Sequence, residues 1–448
     1  MSAVRRILAS VVCCLPLLST SANATNYYVS SRMGSDFSDG RSQQTPWKTI
    51  ARVNRQPLLP GDSVLFRRGD LWRETLKPLS SGGPGKSITF GAFGSGPRPI
   101  ISGSNPIDWT EWKREGLSLF WIPRRTPPTT IWRGNARMRR VADKGYLQDA
   151  LSFFWDASAR LYIRSSAGAP TDVEIQSRDL NIDNNEQSHI VFEELDLQHA
   201  SEGLRVYSWK AAVIDVTLQD SSVTTETHGP GGLVSAGVYS SVNQGTISRL
   251  LILNNTFIPY PSELEHWGVY FVRGVSDFII AGNRFGPAGE DAITVWHSAN
   301  GSITRNRGGG NGENTIDVKD SHDVLIRDNL AENDSEYNIV VHSVDDDSTY
   351  NVVVEKNQCR GGGQGGHLSA GIALLFVRSS RIIDNAVEDA FGEGILVHDR
   401  NLSAGNEVTR NRLTGNSRGQ PAPAIVLEGP RGTRVYENTI TRASALTH

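Results

Sequence analysis

The sequence predicts an all-β solenoid, a parallel β-helix of about 22–28 residues per coil carrying one inserted β-subdomain. Two observations carry this. Asn255, Asn283, Asn306, Asn329, Asn357, Asn385 and Asn411 recur at intervals of 28, 23, 23, 28, 28 and 26 residues, and Asn438 closes the series 27 residues on. A fixed residue at such an interval is what one chain turn per repeat requires, because each coil re-enters the same tight corner. The second observation is the pairs of apolar residues ahead of each corner: Val269/Phe271, Ile293/Val295, Ile316/Val318, Ile339/Val341, Ile372/Leu374 and Ile395/Val397. Alternating side chains on a strand point to opposite faces, so these columns point into a core and their neighbours point out. Asn suits the corner because it tolerates the left-handed backbone region and its amide can bond the Asn of adjacent coils.

From the N-terminus, residues 1–24 read as a secretory leader: Arg5 and Arg6, an apolar stretch from Ile7 to Leu18, and Ala22-Asn23-Ala24 as the cleavage site. The apolar stretch is too short for a permanent membrane helix, so cleavage after Ala24 and release to the periplasm or medium are expected, with no membrane span. Cys13 and Cys14 leave with it, and the remaining Cys359 is expected to be a buried small hydrophobe without a disulfide partner. Without Arg5 and Arg6, 43 basic residues face 48 acidic ones, a formal charge of −5. That balance offers no footprint for nucleic acid.

Residues 25–104 are expected to form the first coils, with Val64–Phe66, Ile88–Phe90 and Ile100–Ile101 as core strands and Pro60-Gly61-Asp62 as a turn. Residues 105–187 break the pattern. Trp109, Trp112, Trp121, Trp132 and Trp155 cluster there with several arginines, and FFWDASARLYIRSS reads as a hairpin around Asp156 to Ala159. This is the expected inserted subdomain, whose Trp and Arg side chains either seat it on the helix or stack on sugars and pair with carboxylates. Residues 188–448 are the main helix, with strands such as Ala292–Trp296, Thr315–Lys319 and Asn338–His342 on successive coils.

The opening YYVSSRMGSDFSDGRSQQTPWKTI, the following PGDSVLFRRGDLWRETL and the Asn-cornered coils resemble secreted bacterial members of the pectate-lyase-like right-handed parallel β-helix superfamily. The resemblance covers nearly all of the mature sequence. It implies a right-handed helix and a polysaccharide-active protein, but not a reaction, since the superfamily holds lyases, hydrolases, epimerases and non-catalytic adhesins. NTIDVKDSHDVLIRDN, residues 314–329, resembles the Lys-bearing coil of several β-helix lyases. Alginate lyases and chondroitinase B carry two Glu shortly before that Lys and an Arg after it; here only Glu313 and Asp317 precede it, at other offsets. The Asp-Pro-His motif of mannuronan epimerases and the paired-Asp and Gly-His-Gly motifs of polygalacturonases are absent.

Stacking the first strands in register gives three outward columns. One reads Arg205, Tyr239, Tyr270, Thr294, Asp317, Val340; another Tyr207, Ser241, Val272, Trp296, Lys319, His342, Leu375, His398. A third, at the lip before the strand, reads His266, Glu290, Glu313, Glu336, with Asp291 beside it. An ordinary solvated face would carry Thr, Ser and scattered charges. Three Glu on successive rungs repel unless a cation sits among them or one stays protonated, so Glu290, Glu313 and Glu336 are candidate Ca²⁺ ligands or a tuned acid. No organic cofactor is expected.

Two reactions fit these columns. Cleavage of a uronic-acid chain by β-elimination takes Lys319 as base, its pKa lowered on a crowded face beside His342 although Asp317 on the same strand opposes that fall, with Asp317 and Tyr270 completing the catalytic set. Trp296, Tyr239, Arg205 and His398 are then the substrate-binding residues. Hydrolysis instead takes two carboxylates from Asp317, Glu290, Glu313 and Glu336. Elimination is the leading expectation, hydrolysis the alternative, and a non-catalytic polysaccharide-binding or export-associated protein the third. The expected partner is a polysaccharide, an acidic one, acted on by a monomer.

Overall fold

A computed structural model describes residues 24–441 except 135, 226–235, 259–266, 272, 345–347, 365–368, 400–404, 420–422 and 430–431. The leader up to residue 23, Val272, His266 and His367 therefore lie outside the described residues.

Among the described residues the helix is built from three long sheets of 10, 12 and 14 strands, and its neighbouring coils pair in parallel throughout. The first sheet runs from Leu180–Asn185 to Ile425–Glu428. The inward pairs predicted from the sequence, from Val269/Phe271 to Ile395/Val397, are all fully buried. They join one continuous core that reaches from Tyr27 to Leu413. Phe257 stacks on Phe285 one coil on, with ring centroids 4.8 Å apart, as a one-coil repeat demands.

The asparagine series is a hydrogen-bond ladder. Asn306 donates its backbone N–H (2.9 Å) and its side-chain Nδ2 (3.1 Å) to Oδ1 of Asn329, while Nδ2 also reaches the Ile280 carbonyl at 2.9 Å. Asn329 repeats the pattern towards Asn357 and the Ile303 carbonyl, and the ladder ends at Asn438. Each amide is spent on neighbours above and below, as expected. The backbone argument is corrected. The left-handed residue is the one before each ladder position: Asn254, Gly282, Arg305, Asp328, Lys356, Asp384, Arg410 and Glu437, with φ between 54° and 69°. Asn is selected at these corners as a two-sided buried amide, not for its backbone tolerance.

The insertion holds two sheets of its own within Ser104–Gln176, a four-stranded antiparallel one and a five-stranded one that is antiparallel except where Arg139–Arg140 pairs in parallel with Ser152–Trp155. Ser152–Trp155 and Arg160–Arg164 form the predicted hairpin, with Ala159 left-handed at its tip. Leu180–Asn185, expected within the insertion, instead opens the first sheet of the helix by pairing with Glu202–Ser208. Fully buried Trp132 stacks on His199 of the helix at 4.2 Å, and Arg73 clamps Glu174 at 2.9 and 2.5 Å. These contacts seat the insertion, while Trp109 stays exposed. Cys359 is buried in the core. No described helix is long and apolar enough to cross a membrane.

Candidate active site

The registers of the first sheet bring the outward columns together as the strand alternation predicts. Arg205, Tyr239, Tyr270, Thr294, Asp317 and Val340 are successive partners, and so are Trp296, Lys319, His342, Leu375 and His398. The lip stacks likewise, the Glu313 N–H donating to the Glu290 carbonyl (3.1 Å) and that of Glu336 to Glu313 (3.0 Å).

Asp317 is the centre of the cluster. Its Oδ1 lies 2.9 Å from His342 Nε2 and its Oδ2 3.2 Å from Lys319 Nζ. Lys319 in turn lies over the Trp296 ring, 5.3 Å from its centroid, and the Trp296 indole N–H is tied to Asp320 at 2.8 Å. Tyr270 stands two rungs earlier, stacked on Trp267 at 4.4 Å and edge-on to Tyr239 at 6.1 Å. Arg205 is held by both oxygens of Glu202, at 2.7 and 2.6 Å. His398 sits two rungs beyond His342 and pairs with Glu428 at 3.2 Å. Lys319, His342, Asp317, Trp296 and Tyr270 thus form one site, with Tyr239 and Arg205 towards one end and His398 towards the other.

Burial and charge divide the titratable groups sharply. Burial alone would lift the Asp317 carboxyl, but His342 and Lys319 more than reverse this and hold it below the usual carboxylate range. Burial would lower Lys319, but Asp317 and Asp291 raise its pKa instead. The expected fall of the Lys319 pKa is therefore corrected: its nearest partner is an anion on its own strand, which favours the ammonium. His342 is raised for the same reason, Asp317 outweighing its burial. Glu313 moves the other way: burial, then Asp291 and Glu336, push it up to about 7. Burial, with help from Asp317, also raises Glu336.

Asp291 carries more of the site than its place beside the lip column suggested. It is buried, accepting from Thr294 Oγ1 at 2.6 Å and from the Asn314 N–H and Nδ2 at 3.0 and 2.9 Å. Burial and Asp317 raise its pKa. Asp334, also buried, accepts from Asn311, Thr315 and Asn338 behind the same strands, and burial pushes it up to about 7. The missed signal is a second 23-residue interval, linking Asp291 to Asn314 and Asn311 to Asp334.

Comparison with known proteins adds fold and family. Residues 250–445 match the family described as Periplasmic copper-binding protein (NosD). Lacto-N-biosidase of Bifidobacterium longum subsp. longum is 33% identical over 102 residues, a match covering 21% of this chain and only 6% of that protein. The native GH136 lacto-N-biosidase from Eubacterium ramulus superposes with a TM-score of 0.61 at 16% identity, over 94% of this chain and 68% of that one. A structure described as a glycoside hydrolase gives 0.59 at 12% identity, over 93% and 97% of the two chains.

A copper centre favours thiolate, thioether or imidazole ligands. Cys359 is enclosed in the core with its thiol pushed up by burial, Met138 is enclosed in the insertion, and His342 Nε2 is taken by Asp317. Among the described residues no three His, Cys, Asp or Glu come together to hold an ion. The described residues do not assemble a copper centre, while Glu290, Glu313 and Glu336 stack along one lip of the groove. Burial and neighbouring carboxyls raise both Glu313 and Glu336 along this lip. The chain shares the right-handed parallel β-helix fold of the superposed structures, and its residues 250–445 are similar to the NosD family.

Proposed function

We propose that the chain is an exported carbohydrate-active enzyme that hydrolyses glycosidic bonds on the outer face of its first sheet. The observation that carries this is the opposite displacement of two carboxyls in one cluster: Asp317 is held ionised, and Glu313 keeps its proton up to about pH 7. Glycoside hydrolysis needs one carboxylic acid and one carboxylate, and environments that pull two pKa values apart assign the roles. Glu313 donates its proton to the glycosidic oxygen as the bond to the anomeric carbon breaks, and water then adds to that carbon, passing a proton back to the Glu313 carboxylate. Asp317 offsets the positive charge that develops on the sugar ring, while Lys319 and His342 keep it anionic and oriented. Trp296, Tyr270 and Tyr239 offer rings to the apolar faces of sugars.

The names borne by similar proteins, a lacto-N-biosidase and a glycoside hydrolase, support the same reading. The leader expected at residues 1–24 supports export. Elimination from a uronate remains the competing reading. It requires a base that has lost its proton, whereas Lys319 and Tyr270 are both raised in pKa. The test is release of reducing ends from a panel of bacterial and plant polysaccharides by the native protein, Asp317→Asn and Glu313→Gln. Reducing ends from the native protein alone support the proposal; undiminished release by both variants contradicts it.

A further inference from the structure

Every basic side chain in the strands of the first sheet already lies against a carboxylate of that sheet. Arg205 is clamped by Glu202, Lys319 and His342 share Asp317, and His398 meets Glu428. Further carboxyls crowd the same cluster: Asp291, Glu313 and Glu336 surround Asp317, with no described lysine or arginine of their own in the strands of the sheet. A chain of uronates brings one carboxylate per sugar. Binding it here requires either breaking these pairs or bringing further carboxylates among carboxyls, which like-charge repulsion disfavours.

The apolar chemistry points to the opposite class of ligand. Tyr207, Tyr239, Tyr270 and Trp296 are all half-buried and lie on four successive rungs, a track of ~14 Å at ~4.8 Å per rung. Beside the first two lies a depression of about 340 Å³, lined further by Asp183, Asn185, Ser241 and the Arg205 that Glu202 clamps. Rings for apolar faces, flanked by amide, hydroxyl and carboxylate acceptors for sugar hydroxyls, are what an uncharged glycan uses.

We infer that this groove takes a neutral glycan and rejects uronates, so the ligand class expected from the sequence is reversed. The inference rests on the proposed reading that the first-sheet groove is the substrate site. Its test is calorimetric binding to full-length Glu313→Gln of two oligosaccharide series, run alongside cleavage assays of the native protein. One series is neutral (xylo-, galacto- and N-acetylglucosamine-containing chains) and the other uronic (galacturonate, mannuronate and guluronate chains). The expected result is that a neutral chain binds at least about tenfold more tightly than any uronate. Its affinity is expected to change less than about twofold between low and high salt. Neutral binding without cleavage by the native protein upholds the groove chemistry and removes the hydrolase proposal. Preferential binding of a uronate, whether or not it is then hydrolysed, overturns the inference, and so does failure of every neutral chain to bind.

Discussion

Asp317 Oδ1 and His342 Nε2 are 2.9 Å apart on adjacent rungs, although 25 residues of chain separate them. One turn of the solenoid has converted a sequence interval into a buried ion pair. Asp317 therefore faces two cations, Lys319 on its own strand and His342 on the next, and stays ionised despite its enclosure.

Replacing Asp317 with Asn removes that anion while keeping its shape. Glycan cleavage is expected to fall by about 10³-fold or more, as for loss of a positioned catalytic charge. The His342 pKa, followed by NMR titration, is expected to drop, because Asp317 is the group that raises it. An unchanged His342 titration in a folded variant would separate the two residues.

Glu313 sets the alkaline side of the pH profile. With its carboxyl pushed up to about 7, kcat/KM is expected to decline as pH rises through that value, and Glu313→Gln is expected to abolish the limb together with most activity. The linkage sign follows. Between its unfolded value near 4.5 and about 7 the folded protein binds the extra proton, so this residue's contribution to stability is lost as pH rises through that window. Melting curves at pH 5 and 8 check it: Glu313→Gln should gain on the native protein only at the higher pH. EDTA is expected to leave activity and profile unchanged.

Lys319 separates the two mechanisms by the direction of its effect. Lys319→Met removes a cation that keeps Asp317 ionised, so the acidic limb of activity is expected to move to higher pH, with residual hydrolysis retained. Complete loss at every pH, with fold intact, would return Lys319 to the role of base.

Much of this site was legible because strand alternation and the coil interval are simple periods. Together they place Lys319 beside His342 and Tyr239 beside Tyr270 from the sequence alone. Pair chemistry was not legible. Alternation puts Asp317 and Lys319 on one face but does not show that they touch, and contact reverses the Lys319 pKa. Asp334 escaped notice and Asp291 was placed only beside the lip column because both lie outside the strands, where alternation fails, and their 23-residue links to Asn311 and Asn314 are what mark them. At the corners, Asn283 was the visible residue while its neighbour Gly282 carries the left-handed backbone.

The ladder makes its own prediction. Asn329→Ala orphans the Asn306 N–H and Nδ2 and the Ile303 carbonyl inside the core, at an expected cost of about 2–4 kcal/mol. Asn438→Ala, at the half-buried end of the ladder, should cost less than about 1 kcal/mol. Shifts of the denaturation midpoint in the two variants check the difference.

The most direct measurement of the central claim is cleavage of the bound glycan in heavy-oxygen water, with the products analysed by mass spectrometry. Hydrolysis through Glu313 and Asp317 adds one solvent oxygen at each new reducing end and leaves a saturated sugar at the other. Elimination adds none and leaves an unsaturated uronate at the new non-reducing end. One heavy oxygen per cleavage is the predicted result, and unlabelled, unsaturated products would contradict it.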